Sequence, residues 1–252
     1  MKRRILDLFC GAGGAGKGYD DAGFDVIGVD LNPMPNFPFE FYQADAIEVL
    51  DLLLDDKPFG DCPYHLHDFD AIHASPPCQA YSHSTLFARN KGTTYPKLIE
   101  PTRERLNATG LPWVIENVPG SPLRPDFKLC GCYFDLPHLR RVRLFETNWH
   151  HAQQAPRSEH RHTMPAISIC SHDAFSSQRK LWLETYGRRI NEADRQRIMG
   201  GVDWMSKKEL SESIPPVYTE YIGRLLAEEI ERRERRALAA VEKFASNLAQ
   251  AA

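Results

Sequence analysis

Along the first half of the chain, short apolar runs alternate with segments of helical periodicity, the pattern of parallel βαβ units. Ile5 to Phe9 predicts a first strand, and the glycine-rich run behind it opens a helix that ends near Gly23. Val26 to Asp30 predicts a second strand and Ala46 to Leu54 an amphipathic helix. Asp70 to Ala74 and Trp113 to Glu116 read as buried strands, with a helix from about Lys97 to Asn107 between them. From about Thr147 to Tyr186 the periodicity fades into His, Gln, Ser, Arg and Pro, which marks a second, smaller region. After it, Asn191 to Met199 predicts a short helix, and Pro215-Pro216 can open a long one reaching the neighbourhood of Ala245. Its distal part, ERRERRALAAVEKFASNLAQ, suits a solvated helix, with a partner-binding face as the alternative.

The expected fold class is therefore α/β, a doubly wound, mostly parallel sheet with a small irregular region. The expected division is 1–146, 147–187 and 188–252.

Composition narrows the picture. With 252 residues, 42% of them hydrophobic, the chain can bury a substantial core. A formal net charge of -3 excludes a surface coated in positive charge, so any nucleic-acid site must be local. Arg140, Arg141 and Arg143 form one such cluster, and Arg157, Arg161, Arg179, Arg188 and Arg189 follow it. The opening MKRRILDLF is too short, and too soon interrupted by Asp7, for a signal peptide or membrane span, so a cytoplasmic protein is expected. The 6 cysteines are too sparse for a disulfide framework and read as free thiols.

Two segments carry candidate chemistry. Gly11, Gly13 and Gly16 spell G-x-G-x-x-G between the first strand and its helix, with Gly14 added. Such a loop lets a ligand approach backbone at a helix N-terminus. Asp30, ending the second strand, can accept from a ribose diol. Asp45 can reach an adenine edge or simply cap the Ala46 helix. This pattern alone does not separate a redox dinucleotide from S-adenosylmethionine.

The second segment is Ala74-Ser75-Pro76-Pro77-Cys78-Gln79-Ala80-Tyr81-Ser82, directly after a buried strand. Two prolines end the strand and present the Cys78 thiol from a stiff turn at the ligand-binding edge of the sheet. A thiolate there suits covalent addition to an electron-poor carbon.

DLFCGAGG, SPPCQAYS, the Glu116-Asn117-Val118 triplet and RRVRLFE resemble, in order and spacing, the motifs of DNA cytosine C5-methyltransferases, and ELSESIPPVYTEYIG resembles that family's last motif. The resemblance spans roughly residues 4 to 147 and 188 to 230. It implies a Rossmann-like methyltransferase sheet, S-adenosylmethionine as methyl donor and double-stranded DNA as substrate. It implies Cys78 as the nucleophile toward C6 of a flipped cytosine, Glu116 on the N3 and amine edge, and Arg141 and Arg143 anchoring the base carbonyl or a phosphate.

For the donor, the resemblance implies Phe9 near the adenine, and Gly11, Ala12, Gly13 and Gly14 around the methionine part. It places Asp30 and Leu31 at the ribose, Asp45 and Ala46 at the adenine amine, and Pro76, Ser213 and Ile214 lining the crevice. Gln79, Ser82, Arg89 and Lys91, in and after the Pro-Pro-Cys-Gln turn, are expected to meet nucleic acid from a mobile loop. The chain departs from the family pattern at Leu139, where a Gln is usual, and at Glu212, where an Asn is usual.

The recognition segment, about Thr147 to Tyr186, is short for this family, which predicts a two- to four-base site or relaxed specificity. His150, His151, His160, His162, Cys170 and His172 fit no closed four-ligand spacing, so no metal is expected. Cys130 and Cys132 read as packing residues. A monomer is expected, with a partner protein possible through the last helix, and the compact size fits a phage or restriction-modification setting. The same chemistry on RNA and a non-catalytic DNA-binding relative remain open, whereas a nicotinamide oxidoreductase gives Pro-Pro-Cys-Gln no role.

Overall fold

The computed structural model describes residues 2–149, 164, 169 and 176–251. Its centre is a seven-stranded sheet in the order β3-β2-β1-β4-β5-β7-β6. Strands β1 (Arg4–Leu8), β2 (Asp25–Asp30), β3 (Glu40–Gln43), β4 (Ala71–Ala74) and β5 (Trp113–Asn117) run parallel. Strand β7 (Arg143–Thr147) runs antiparallel to both β5 and β6 (Phe127–Leu129). The strand order reverses between β1 and β4, and an open α/β sheet offers its ligand crevice at that switch point, beyond the carboxyl ends of the strands.

Strands buried on both faces need apolar residues throughout, and β1, β2, β4 and β5 are buried almost end to end. One face packs on α1 (Gly14–Asp21) and α8 (Pro216–Ala251), through Tyr19, Phe24, Tyr218, Ile222 and Leu226. The other packs on α2 (Ala46–Leu54) and α4 (Ile99–Thr109), through Val49, Leu50, Leu53, Ile99 and Leu106. At Gly18 the chain of α8 passes so close, with the Pro216 carbonyl and Thr219 hydroxyl, that a side chain would have no room. Thr219 Oγ1 donates to the Ala15 carbonyl at 2.8 Å, fastening the two helices.

A third cluster joins Ala12 and Leu139 to Ile169, Trp182 of α5 (Ser176–Tyr186), Ile198 and Met199 beside α6 (Glu192–Ile198), and Leu210 of α7 (Lys207–Glu212). The region expected to be irregular therefore contains an 11-residue helix, α5, whose weak periodicity hid it. Strands β6 and β7 also escaped the periodicity reading, because β7 begins inside the arginine cluster. The candidate mobile loop after Cys78 folds into a 3-10 turn at His83–Thr85 and the short helix α3 (Leu86–Asn90). The histidines at 150, 151, 160, 162 and 172, together with Cys170, lie outside the described residues.

Among the described residues, no helix is long and apolar enough to cross a membrane. None of their His, Cys, Asp and Glu side chains form a cluster able to hold a metal ion.

Candidate active site

The crevice at the switch point is built from the ends of β1, β2, β4 and β5. Strand β1 ends at Leu8, one residue earlier than expected, because Phe9 turns into the left-handed region at φ 57°. A non-glycine residue there is strained and must be held by its surroundings. Phe9 packs on the α2 face of the sheet. Gly11 (φ 51°) and Gly13 (φ 83°) continue the turn, and the missing Cβ of Gly11 faces open space.

Asp30 binds this loop directly: its Oδ2 accepts from the Gly11 amide at 3.1 Å and its Oδ1 from the Asn32 amide at 2.9 Å. A carboxylate has about four lone-pair positions, so acceptor capacity remains for a diol. Leu31, 63% exposed, stands beside it. Asp45 caps α2, its Oδ1 accepting from the Ile47 and Glu48 amides at 2.8 and 3.2 Å, while buried Ala46 packs beneath. The capping reading is thus realised, and the carboxylate stays at the surface near the crevice.

The C-terminal motif returns to this loop. A side chain at Gly14 would strike the Ser213 hydroxyl and the Ile214 carbonyl, so the two segments are in close contact. Trp204, which the sequence reading passed over, donates its indole N–H to the Ala12 carbonyl at 2.8 Å. A lone tryptophan in a polar stretch gave no periodic signal to find it by.

Cys78 follows β4 on a turn whose carbonyl accepts from the Tyr81 and Ser82 amides, both at 2.9 Å. Asn117, at the end of β5, donates from Nδ2 to the Pro76 carbonyl at 2.8 Å and accepts from the Val118 amide at 2.9 Å. Beside it, Glu116 is only 5% exposed and forms an ion pair with Arg143, Nε to Oε1 2.8 Å. That Oε1 makes no aligned hydrogen bond. Arg141 donates from Nη2 to the Ser211 carbonyl at 2.8 Å, and its own carbonyl accepts from the Tyr218 hydroxyl at 2.8 Å.

The fields of Glu116, Arg141 and Arg143 all reach Cys78. Burial raises the Cys78 pKa above the usual thiol value, against the opposing pull of Arg143 and Arg141. Burial thus favours the thiol form of Cys78 over the thiolate, while Arg143 and Arg141 pull the other way. Burial likewise raises the Glu116 pKa above the usual carboxylate range, in spite of Arg143, Arg141 and the Ser75 hydroxyl.

The expected nucleic-acid contacts divide. Ser82 caps the 3-10 turn, accepting from the Ser84 amide at 3.3 Å. Arg89 points back, donating to the Gln79 carbonyl at 3.2 Å, and Thr85 Oγ1 donates to the same carbonyl at 2.6 Å. Lys91 lies over the Phe87 ring, 4.4 Å from its centroid. Gln79 Oε1 is buried without a hydrogen-bond partner. A separate basic groove, lined by Lys180, Arg189, Arg195 and Lys207, opens between α5, α6 and α7.

The sheet order, with the glycine loop and the Cys78, Glu116, Arg141 and Arg143 group at the switch point, is that of a doubly wound, Rossmann-like α/β fold. Residues 3–120, which hold the glycine loop, Cys78 and Glu116, match the family model for C-5 cytosine-specific DNA methylases. The Type II methyltransferase M.AgeI of Thalassovita gelatinovora is 33% identical over 86 residues, 31% of this chain and 19% of that protein. This chain thus spans about a fifth of that curated relative's length.

Among solved structures, DNMT2 of Spodoptera frugiperda aligns over 89% of this chain and 99% of its own, with TM-score 0.53 and 13% identity. The S. pombe Dnmt2 methyltransferase aligns over 91% and 99%, with TM-score 0.52 and 14% identity. These two similarities are of fold.

Proposed function

We propose that the chain is a DNA (cytosine-5-)-methyltransferase that takes its methyl group from S-adenosylmethionine and works through a covalent bond between Cys78 and C6 of a flipped cytosine. The observation that carries this reading is the convergence of Cys78, Glu116, Arg141 and Arg143 on one buried patch beside the glycine loop.

The crevice fits the donor. Asp30 puts a carboxylate against the Gly11 amide, where a dinucleotide would bring its pyrophosphate. The diol would meet Asp30, the adenine would lie toward Phe9, Leu31 and Asp45, and Gly11 to Gly14, Pro76, Ser213 and Ile214 would bound the methionine part. When bound, S-adenosylmethionine supplies an electrophilic methyl group to C5.

The chain's own residues make C5 able to accept it. Cys78 loses its proton to solvent as its sulfur bonds C6, and Glu116, whose protonated form burial favours, gives its proton to N3. Arg143 and Arg141 hold the base carbonyl or an adjoining phosphate and balance the Glu116 carboxylate that results. After methylation water takes the C5 proton, the released pair re-forms the C5–C6 double bond and expels the sulfur as a thiolate, and Glu116 recovers its proton from N3. A base inside a stacked duplex cannot reach Cys78, so the target must be extruded, at a cost of a few kcal/mol that contacts in the pocket offset.

Gln79, Ser82, Arg89 and Lys91 would frame the extruded base, and the groove of Lys180, Arg189, Arg195 and Lys207 would track phosphates. A short recognition segment supports a two- to four-base site, in a phage or restriction-modification setting. Incubation with DNA carrying 5-fluorocytosine and S-adenosylmethionine should trap a protein–DNA adduct that survives denaturation. Failure to trap it, with Cys78→Ala still active, would overturn the reading. Transfer to RNA in preference to DNA would move the substrate assignment alone.

A further inference from the structure

Next to Glu116, three polar side chains, from α1, β4 and the residue that follows β4, stand in a row within the core, with buried Asp7 beside them. Tyr19 of α1 and His73 of β4 are fully buried, and the Tyr19 hydroxyl lies 2.9 Å from His73 Nδ1. On the other edge of the imidazole, His73 Nε2 lies 2.8 Å from Ser75 Oγ. Ser75 follows Ala74, which pairs with Ile115, so Ser75 stands next to Glu116 on the neighbouring strand, where it favours the ionised carboxyl. Buried polar groups are costly unless each is satisfied, and this row satisfies them only as a connected chain.

We propose that Tyr19, His73 and Ser75 are positioning residues, a buried relay that fixes the orientation of the Glu116 carboxyl and supplies it with a hydrogen-bond donor from below. The assignment of Glu116 to the cytosine edge rests on the function proposed above; the relay itself rests on the contacts.

The chain has one consistent direction. In the proposed relay Ser75 gives its single proton to Glu116, so its oxygen accepts from His73 Nε2–H. His73 is then neutral, with an unprotonated Nδ1 that accepts from the Tyr19 hydroxyl. Burial supports the neutral form, bringing the His73 pKa down to about 3. Reversal would leave the Tyr19 proton without an acceptor.

The charged and titratable groups facing the relay are Asp7 of β1 beside Tyr19, and Arg141, Arg143 and Cys78 beside Glu116. The relay has a consequence for catalysis. Glu116 must give up a proton and take it back in each cycle, and the Ser75 donor steadies the carboxylate that exists in between. It also fixes which oxygen is turned toward Arg143 and the base.

The test reads Glu116 without needing turnover, so it stands apart from the substrate assignment. In the full chain labelled with 13C at glutamate carboxyls, the Glu116 signal is assigned by its loss in Glu116→Gln and titrated. Ser75→Ala should raise the proton affinity of Glu116 by roughly tenfold, the worth of one hydrogen bond to a charged group, and Ser75→Thr should restore it.

In wild-type protein, 15N spectra should show His73 neutral and protonated at Nε2, a measurement that needs no variant to fold. In methyl-transfer assays, the pH limb belonging to Glu116 should move upward in Ser75→Ala and return in Ser75→Thr. A Glu116 titration identical in wild type and folded Ser75→Ala, or a His73 protonated at Nδ1, would overturn the relay. If no methyl transfer occurs in wild type while the two spectroscopic results hold, the relay stands and the proposed reaction falls.

Discussion

The Asn117 side-chain amide donates to the Pro76 carbonyl at 2.8 Å and so locks the strand that carries Glu116 to the turn that carries Cys78. Glu116 and Cys78, the proposed acid and nucleophile, come from neighbouring strands about forty positions apart in sequence, and this bond fixes the turn in height against the strand. A prolyl carbonyl is a good anchor, because the residue's φ is already fixed. Asn117→Ala should cost about 1–2 kcal/mol in stability, one buried hydrogen bond. It should lower the rate of methyl transfer by more than that, roughly tenfold to a hundredfold, because misplacement of reacting groups is amplified in the barrier. Urea titration and initial rates, compared on one preparation, check the difference.

Glu116 has its pKa raised by burial, so its protonated form persists above the usual glutamate range and is lost as pH rises through the raised value. The proposed step needs that proton. Methyl transfer at saturating DNA and donor should therefore decline with increasing pH along a limb that Glu116→Gln abolishes, the variant being slower at every pH. A limb unchanged in Glu116→Gln would assign it to another group.

Gly14 is pressed by Ser213 and Ile214. Gly14→Ala should force the C-terminal motif off the loop, costing about 1–3 kcal/mol as overpacking and weakening S-adenosylmethionine binding at least tenfold by calorimetry. Gly23→Ala is a useful control, because a side chain there meets nothing; its strain comes only from the positive φ of 95°.

Arg103 and Glu146 form a buried double contact, Nε to Oε1 2.7 Å and Nη2 to Oε2 2.8 Å, joining α4 to β7. The Arg124 amide also donates to Glu146, at 2.8 Å. Arg103 holds the Glu146 pKa below the usual carboxylate range against the opposing effect of burial. Glu146→Ala would leave a buried guanidinium short of a partner and should cost about 3–5 kcal/mol. The depressed pKa carries a sign: its stability is present above the unfolded carboxylate pKa and lost as pH falls through the folded one. Acid unfolding monitored by circular dichroism should shift to higher pH in Glu146→Ala.

Asp7 behaves oppositely. It is fully buried in β1 with neither carboxyl oxygen hydrogen-bonded to a side chain, and burial raises its pKa well above the usual value. A raised pKa gives stability below the unfolded pKa that is lost as pH rises toward the folded one. Across the mildly acidic to neutral range, melting temperature should fall less steeply with pH in Asp7→Asn than in wild type. Parallel slopes would show that Asp7 does not take part.

The sequence alone determined much of this molecule. Period-two and continuous apolar runs fixed the parallel strands at Val26, Asp70 and Trp113, since a strand buried on both faces has no other composition to offer. The glycine loop and the Pro-Pro-Cys-Gln turn were legible because prolines and positive-φ glycines act locally, whatever surrounds them. Long-range contacts were not legible. Only the folded chain brought Arg143 onto Glu116, Trp204 onto Ala12 and Ser213 onto Gly14, because no local propensity reports a partner many residues away.

The tertiary structure also decided protonation. Burial favours the thiol form of Cys78, and only the fold aligned His73 and Tyr19 beside the Glu116 carboxyl. Charge state follows from the dielectric and the neighbours that surround a group, and those exist only once the chain has folded.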